Sequence, residues 1–286
     1  MKIQLSEHFT YKKMIQFVLP SIVMMIFTSI YGVIDGLFVS NFVGKTAFAA
    51  INLIMPLLMG LSALGFMIGT GGSAIVSKAL GEGRRDLANQ YFSMLVYVSI
   101  TGGIILAVTG MFLLRPIALL LGASGELIEL CVLYGRILLV SLTAFLLQNV
   151  FQSFFVTAEK PQLGLKVTIA AGLTNIVLDY LFIAVFHWGI VGAAVATAFS
   201  EAIGGLFPIL YFARKNNSLL RLVKAQIDFK ALLKACANGS SELMTNLSLS
   251  VVNSLYNLQL ISIAGENGVA AYGTIMYVNF IFIAIF

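Results

Sequence analysis

The sequence has 286 residues, of which 59% are hydrophobic and only 10% charged, and its mean hydropathy is +0.98. Because a soluble globular domain carries about 25% charged residues, this composition excludes an ordinary water-soluble protein. The net charge of +5 does not indicate a nucleic-acid partner, since the Lys and Arg residues are scattered between apolar runs, and two Cys and two His are too few for a disulfide scaffold or a zinc centre.

Eight apolar runs are long enough to cross a membrane as helices, which requires about 20 residues each. The runs are continuous rather than alternating, so they favour helices over the strands of a membrane barrel. The predicted fold class is therefore an all-α, multi-spanning integral membrane bundle. In chain order, the predicted spans cover residues 14–39, 48–76, 87–114, 128–156, 163–186, 190–212, 235–263 and 269–286.

The basic residues predict how these spans are oriented. If the N-terminus is inside the cell, fourteen of the 17 Lys and Arg residues fall in cytoplasmic segments. The outer loops then hold only Lys45 and Arg115, and Arg136 lies within the fourth span. This asymmetry predicts a multi-pass protein of the cytoplasmic membrane with a cytoplasmic N-terminus.

The longest polar stretch, residues 213–234, is predicted to be a cytoplasmic linker. It divides an N-terminal lobe of six spans, residues 1–212, from the two spans in residues 235–286. Two interpretations of the linker stay open, namely a solvated loop and an amphipathic helix on the inner leaflet. The apolar stripe of such a helix would contain Leu219, Leu222, Val223 and Ile227.

The end of the sequence contains a candidate repeat of its beginning. GKTAFAAINLIM, which starts at Gly44, aligns with GENGVAAYGTIM, which starts at Gly265, with five identical positions. This alignment places the seventh and eighth spans over the first and second, as in the parallel repeats of transporters. Since the last apolar run is still open at Phe286, we expect these eight spans to belong to a protein of twelve.

Four carboxylates lie within the apolar runs: Asp35, Asp179, Glu201 and Glu242. An ionisable group at the centre of a bilayer costs at least about 2.5 to 3.5 kcal/mol, so those that are present are usually functional. The alternative for each is hydrogen bonding that only stabilises helix packing, or exposure to a water-filled cleft. Glu242 lies near the inner end of its span.

Two further polar residues are predicted to join these acids. Asn175 lies one turn before Asp179, Thr197 lies one turn before Glu201, and Asp35 is at a similar depth. Two carboxylates in a low-dielectric site resist being ionised together, so they either hold a proton or neutralise a cation. Amide and hydroxyl oxygens would complete the coordination of a hard monovalent ion. The sequence therefore predicts coupling to H+ or Na+, with no other metal and no organic cofactor.

Pro20 lies in the inner half of the first span. A proline inside a helix removes one backbone hydrogen bond and favours a kink. In a helix that also carries Asp35, such a kink can be a moving part, and the alternative is a static kink tolerated by the neighbouring helices.

These motifs together resemble the multidrug and toxic compound extrusion (MATE) transporters. The first span reads LPSIVMMIFTSIYGVIDGLFVSNFVG, the fifth contains TNIVLDYLFI, and the sixth contains GIVGAAVATAFSE. The resemblance implies two six-helix lobes around a central cleft, in which a proton or sodium ion moves inward while an organic cation or drug moves out. It implies an ion site of Asp35, Asn175, Asp179 and Thr197 and a bend at Pro20, and it makes Glu242 a further candidate because some members carry a functional acid in that helix. Glu201 is a candidate from its place in the sixth span alone.

The expected partners are a small organic cation or drug and the lipid bilayer, and the protein is expected to be monomeric. The cleft is expected to offer methionine and aromatic side chains, which suit promiscuous binding of flat cations. The candidates for this lining are Met24, Met25, Phe27, Tyr31, Met55, Met59, Phe145, Gln148, Phe151, Tyr256, Tyr272 and Met276.

Three other functions are alternatives. A flippase of lipid-linked oligosaccharides, from the same broad superfamily, would need basic side chains in the cleft to hold a pyrophosphate, and Arg136 is the one strong candidate. A membrane-embedded enzyme would need a nucleophile with a base, a paired-aspartate motif or a set of metal-binding histidines, and the sequence contains none of these patterns. A non-transporting scaffold stays open.

Overall fold

The computed structural model describes residues 11–285, and within that range the regular elements are all helices, with no strand. The predicted all-α fold class is thereby confirmed. Lys2 and Phe286 lie outside the described residues. The helices are α1 Tyr11–Phe38, α2 Lys45–Gly81, α3 Arg85–Leu120, α4 Gly125–Thr157, α5 Pro161–Asp179, α6 Ile190–Ala213 and α7 Phe229–Ile285, and the π-helical turns Val39–Val43 and Tyr180–Val185 continue α1 and α5.

Seven helices in the described part of the chain are long and apolar enough to cross a membrane. Helices α2, α3 and α4 contain 33 to 37 residues, so at 1.5 Å per residue each is about 50 Å or longer. That exceeds a hydrocarbon core of about 30 Å. Helix α3 accordingly ends at Leu120, six residues beyond its predicted end at residue 114.

Helix α7 contains both of the last two predicted spans. The helix is broken at Gly265, whose φ of 61° and ψ of −153° are not helical. After this residue the chain folds back, and two contacts between the arms show this. The Tyr272 hydroxyl donates a hydrogen bond to Asn253 Oδ1 at 2.9 Å, and the Tyr272 ring stacks on Tyr256. Residues 229–264 and 266–285 therefore form an antiparallel pair joined at one glycine.

Helix α2 is central, since it packs against α3, α4 and α7. Its approach to α7 is closest at one end of the bundle, where a Cβ on Gly71 would overlap the Ala235 carbonyl and a Cβ on Gly239 would overlap the Met67 carbonyl. Small residues allow such close contact between membrane helices. We call this end, where α2 ends and α3 and α7 begin, the basic end.

Residues 214–228 run without helix along α3, and most of them are exposed, which agrees with the loop interpretation. The backbone amide of Arg221 donates to Asn89 Oδ1 at 2.9 Å, and that of Val223 donates to Ser93 Oγ at 2.8 Å. The Tyr97 hydroxyl donates to the Val223 carbonyl. The amphipathic-helix interpretation was wrong, since side chains of α3 bind the backbone groups that a helix would have paired internally.

The two aligned segments share a turn geometry. Gly44 has a φ of 117° and Gly265 a φ of 61°, so both turns use a backbone conformation that favours glycine. Gly273, which aligns with Asn52, is so close to it that a Cβ would overlap the Asn52 side chain. Contact between equivalent residues is expected near the axis that relates two repeats.

Candidate functional site

A cavity of about 300 Å³ lies between six of the seven helices. Helices α1, α2, α4, α5, α6 and α7 all contribute to its wall, so parts of the chain on both sides of the 214–228 segment enclose it. The wall mixes acids and amides with aromatic, leucine and methionine side chains. The polar lining residues are Thr28, Ser29, Tyr31, Asp35, Asn52, Gln148, Asn175, Thr197, Ser200, Glu201, Asn253, Asn257, Tyr272 and Tyr277.

Asp35 on α1 and Asp179 on α5 are brought together at this cavity. Helices α1 and α5 pack closely because Gly172 has no side chain, and a Cβ there would lie 2.6 Å from Cε1 of Phe27. The carboxyl groups of the two aspartates are close enough for electrostatic interaction with each other. Asp179 is fully buried and Asp35 is 7% exposed, and of the two only Asp35 lines the cavity.

The four residues predicted as an ion site share an unusual property. Asp35 Oδ1, Asn175 Oδ1, both carboxylate oxygens of Asp179 and Thr197 Oγ1 are buried, and none has a hydrogen-bond partner in the described part of the chain. Buried polar atoms are nearly always paired, and an unpaired one costs about 1 to 3 kcal/mol. An unpaired set of carboxylate, amide and hydroxyl oxygens is suited to holding a proton or a hard cation.

Glu201 on α6 lies on the same cavity and is 9% exposed. The Ser141 hydroxyl donates a hydrogen bond of 2.5 Å to Glu201 Oε2. Its neighbour Ser200 is buried and also lines the cavity. The structure therefore places a third carboxylate on the cavity that Asp35 lines, with its own hydrogen-bond donor.

Sequence reasoning missed Tyr134 of α4. This residue is fully buried, its hydroxyl has no hydrogen-bond partner among the described residues, and it is close enough to Asp35, Asp179 and Glu201 for electrostatic interaction. One signal was available, because Tyr134 lies two helical turns before Ser141 and so on the same face of α4.

Besides Asp179, two of the predicted residues are not part of this cavity wall. Pro20 lies inside the continuous helix α1, about 22 Å before Asp35 at 1.5 Å per residue. Glu242 is half-buried on α7. Arg136 is exposed and does not line the cavity either, and no Lys, Arg or His is among the described residues that do.

The predicted cleft lining was right in part. Tyr31, Met55, Met59, Phe145, Gln148, Tyr272 and Met276 line the cavity. Met24, Met25, Phe27, Phe151 and Tyr256 do not, and Phe151 instead packs in a fully buried aromatic group with Phe92 and Phe212.

Comparison with known proteins gives consistent matches. The family profile described as MatE matches residues 20–181. In sequence, the chain is 31% identical over 268 residues to the "Multidrug export protein MepA" of Staphylococcus haemolyticus, which covers 93% of the chain and 59% of that protein. The chain thus spans about three-fifths of the length of this relative.

Solved structures agree with the sequence matches. A multidrug resistance MATE family transporter of the MOP superfamily, in an inward-facing conformation, superposes with a TM-score of 0.81 at 25% identity, covering 89% of this chain and 60% of that one. A MOP superfamily transporter from Pyrococcus furiosus, for which a binding pocket of reverse polarity is described, superposes with a TM-score of 0.84 at 25% identity. That match covers 97% of this chain and 64% of the other.

Proposed function

Because this chain belongs to the MatE family of membrane transporters, we propose that it forms the ion-coupling part of a secondary antiporter. The antiporter would export organic cations or drugs in exchange for protons or sodium ions. One observation carries the proposal: five unpaired buried oxygens from Asp35, Asn175, Asp179 and Thr197 lie beside a cavity that no basic side chain lines in the described residues.

The aspartate pair is the proposed coupling site. A proton shared by Asp35 and Asp179, or a sodium ion held with the oxygens of Asn175 and Thr197, would neutralise part of their negative charge. Since Asp35 faces the cavity, that neutralisation would weaken the attraction between the wall and a cationic substrate. Ion and substrate would thus compete for the same charge, and such competition is what antiport requires.

Glu201 is the proposed counter-ion for the substrate. Its carboxylate is held by Ser141 and lines a cavity that also contains the rings of Phe145 and Tyr272. Aromatic faces attract organic cations, and adaptable methionines accept varied shapes. A volume of about 300 Å³ is at the small end of the range for drug-sized ligands.

The proposed orientation puts the basic end, with its Lys- and Arg-rich segments, on the cytoplasmic side of the inner membrane. The protein would work as a monomer, with the coupling ion moving inward. A MATE-like relative named for multidrug export supports the direction of substrate transport.

The oligosaccharide flippase is disfavoured by the polarity of the cavity. A pyrophosphate needs cationic ligands, whereas the cavity wall carries Asp35 and Glu201, and Arg136 is exposed elsewhere on α4. Among the residues that the structure describes, no contact specifically favours a scaffold.

The test is transport of a fluorescent organic cation by the full gene product in liposomes, with proton and sodium gradients imposed separately. We expect one gradient, and not an equal potassium gradient, to drive movement of the dye. Equal movement with and without each gradient would contradict antiport.

A further inference from the structure

A second cavity, of about 320 Å³, lies at the basic end, away from the proposed transport site. The end of α2, the turn into α3 and the start of α7 form its wall. Four basic side chains line it: Lys78 and Arg84 on one side, and Lys230 and Lys234 on the other.

The positive charge of this cavity is only partly balanced within the protein. Glu82 pairs with both Lys78 and Arg84. Neither Lys230 nor Lys234 has a carboxylate within 4 Å in the described part of the chain. Asp228 also lines the cavity, but its Oδ1 accepts a hydrogen bond from the Ala231 amide in the first turn of α7.

The rest of the wall is apolar. Ile75, Ala79 and Ala231 are buried, and Leu87 and Tyr91 are half-buried. Basic side chains thus border an apolar recess at the end of membrane-spanning helices. This combination matches a phospholipid, in which a charged phosphate is joined through glycerol to apolar acyl chains. Basic pockets between helices at the cytoplasmic side bind anionic headgroups in this way.

We propose that this cavity binds the phosphate headgroup of an anionic phospholipid. The phosphate contacts Lys78 and Arg84 as well as Lys230 and Lys234, so the lipid links the α2–α3 turn to the start of α7. Since the Gly71–Ala235 contact between α2 and α7 lies at this same end, a bound lipid stabilises the close packing of the two helices there.

The experiment measures thermal unfolding of the purified chain in neutral detergent as a function of added phosphatidylglycerol, phosphatidylcholine or inorganic phosphate. We expect phosphatidylglycerol to raise the unfolding temperature at a lower concentration than the other two. The Lys230→Gln/Lys234→Gln variant should need about 25-fold more phosphatidylglycerol for the same effect, since each basic residue near an anionic surface contributes about a factor of five.

The matched control is Lys215→Gln/Lys224→Gln, which removes the same charge from exposed positions outside the cavity and should change the required concentration less than about twofold. Lys230→Arg/Lys234→Arg should keep the lipid effect and tests the site if the Gln variant folds poorly. An equal loss in both Gln pairs, or equal stabilisation by phosphatidylcholine or inorganic phosphate, would overturn the proposal.

Discussion

The two aspartates of the candidate ion site have different surroundings. Asp35 lines the cavity, whereas Asp179 is fully buried behind it. In the proposed mechanism, Asp35 is therefore the carboxylate that a substrate would approach, and Asp179 would determine whether Asp35 carries charge alone.

Asp35→Asn is predicted to abolish ion-driven dye efflux while the protein still inserts into the membrane. The substitution keeps the size of the side chain but removes the charge for which ion and substrate compete. Efflux from vesicles, normalised to the amount of inserted protein, measures the effect. Asp86→Asn is the control, because Asp86 is an exposed acid at the start of α3, and undiminished efflux by Asp35→Asn would contradict the coupling role.

Glu201→Gln is predicted to raise the KM for a monocationic dye by about tenfold, or ~1.4 kcal/mol of binding. The amide oxygen of Gln can still accept the Ser141 hydrogen bond, so the charge is the main change. An uncharged amphiphile of similar size should be affected less than about twofold. Equal effects on the two compounds would mean that Glu201 has only a packing role.

At the level of single residues, the sequence predicted the site best where an ionisable side chain interrupts an apolar run. Asp35 and Asp179 stood out because ionisable groups inside apolar runs are costly, and helical spacing added Asn175 and Thr197. Tyr134 was missed because a tyrosine in an apolar span is ordinary, and only its position beside three carboxylates distinguishes it.

Among the elements, the break in α7 depends on one glycine. Gly265 has a positive φ with open space around it, so its conformation, and not crowding, requires glycine. We predict that Gly265→Ala lowers the free energy of unfolding by about 1 to 2 kcal/mol. Gly102→Ala, which also meets open space but in a regular helix, should stabilise slightly, and thermal unfolding of both variants in the same detergent tests the contrast.

Where α2 contacts α7, a side chain of α7 replaces a hydrogen bond that a proline removes from α2. Pro56 has no backbone N–H, so the Asn52 carbonyl one turn earlier lacks its helical donor, and Asn257 Nδ2 donates to that carbonyl at 2.8 Å. We predict that Asn257→Ala costs about 1 to 2 kcal/mol of stability. In a Pro56→Ala background, where the helix supplies its own donor, the same substitution should cost less than half as much, and equal costs in a double-mutant cycle would contradict this pairing.

The linker shows the limit of pattern reasoning for elements. Apolar positions among residues 219–227 are compatible with a helix, but Leu220, outside the predicted stripe, is the fully buried residue. The polar face that Asn89, Ser93 and Tyr97 form on α3 decides the structure. Such a tertiary partner cannot be identified from the linker alone.

For the whole molecule, the scarcity of charge was enough to predict a helical membrane bundle, because length and hydropathy leave few alternatives. The packing of α7 against α2 could not be predicted from the sequence to the same extent. Contacts run from Gly71 and Ala235 at the basic end to a hydrogen bond of 2.8 Å from Thr46 to Glu266 at the other end. The repeat alignment indicated that these helices are related, but not that they would touch along their length.

The most direct test of the central claim, that Asp35 and Asp179 bind the coupling ion, is infrared difference spectroscopy of the purified chain. The account predicts a carboxylic-acid C=O band that weakens when the pH is raised or when sodium, but not potassium, is added, and that is lost in Asp35→Asn. A carboxyl spectrum that does not respond to pH or sodium, or a response that survives in the Asp35→Asn/Asp179→Asn double variant, would contradict it.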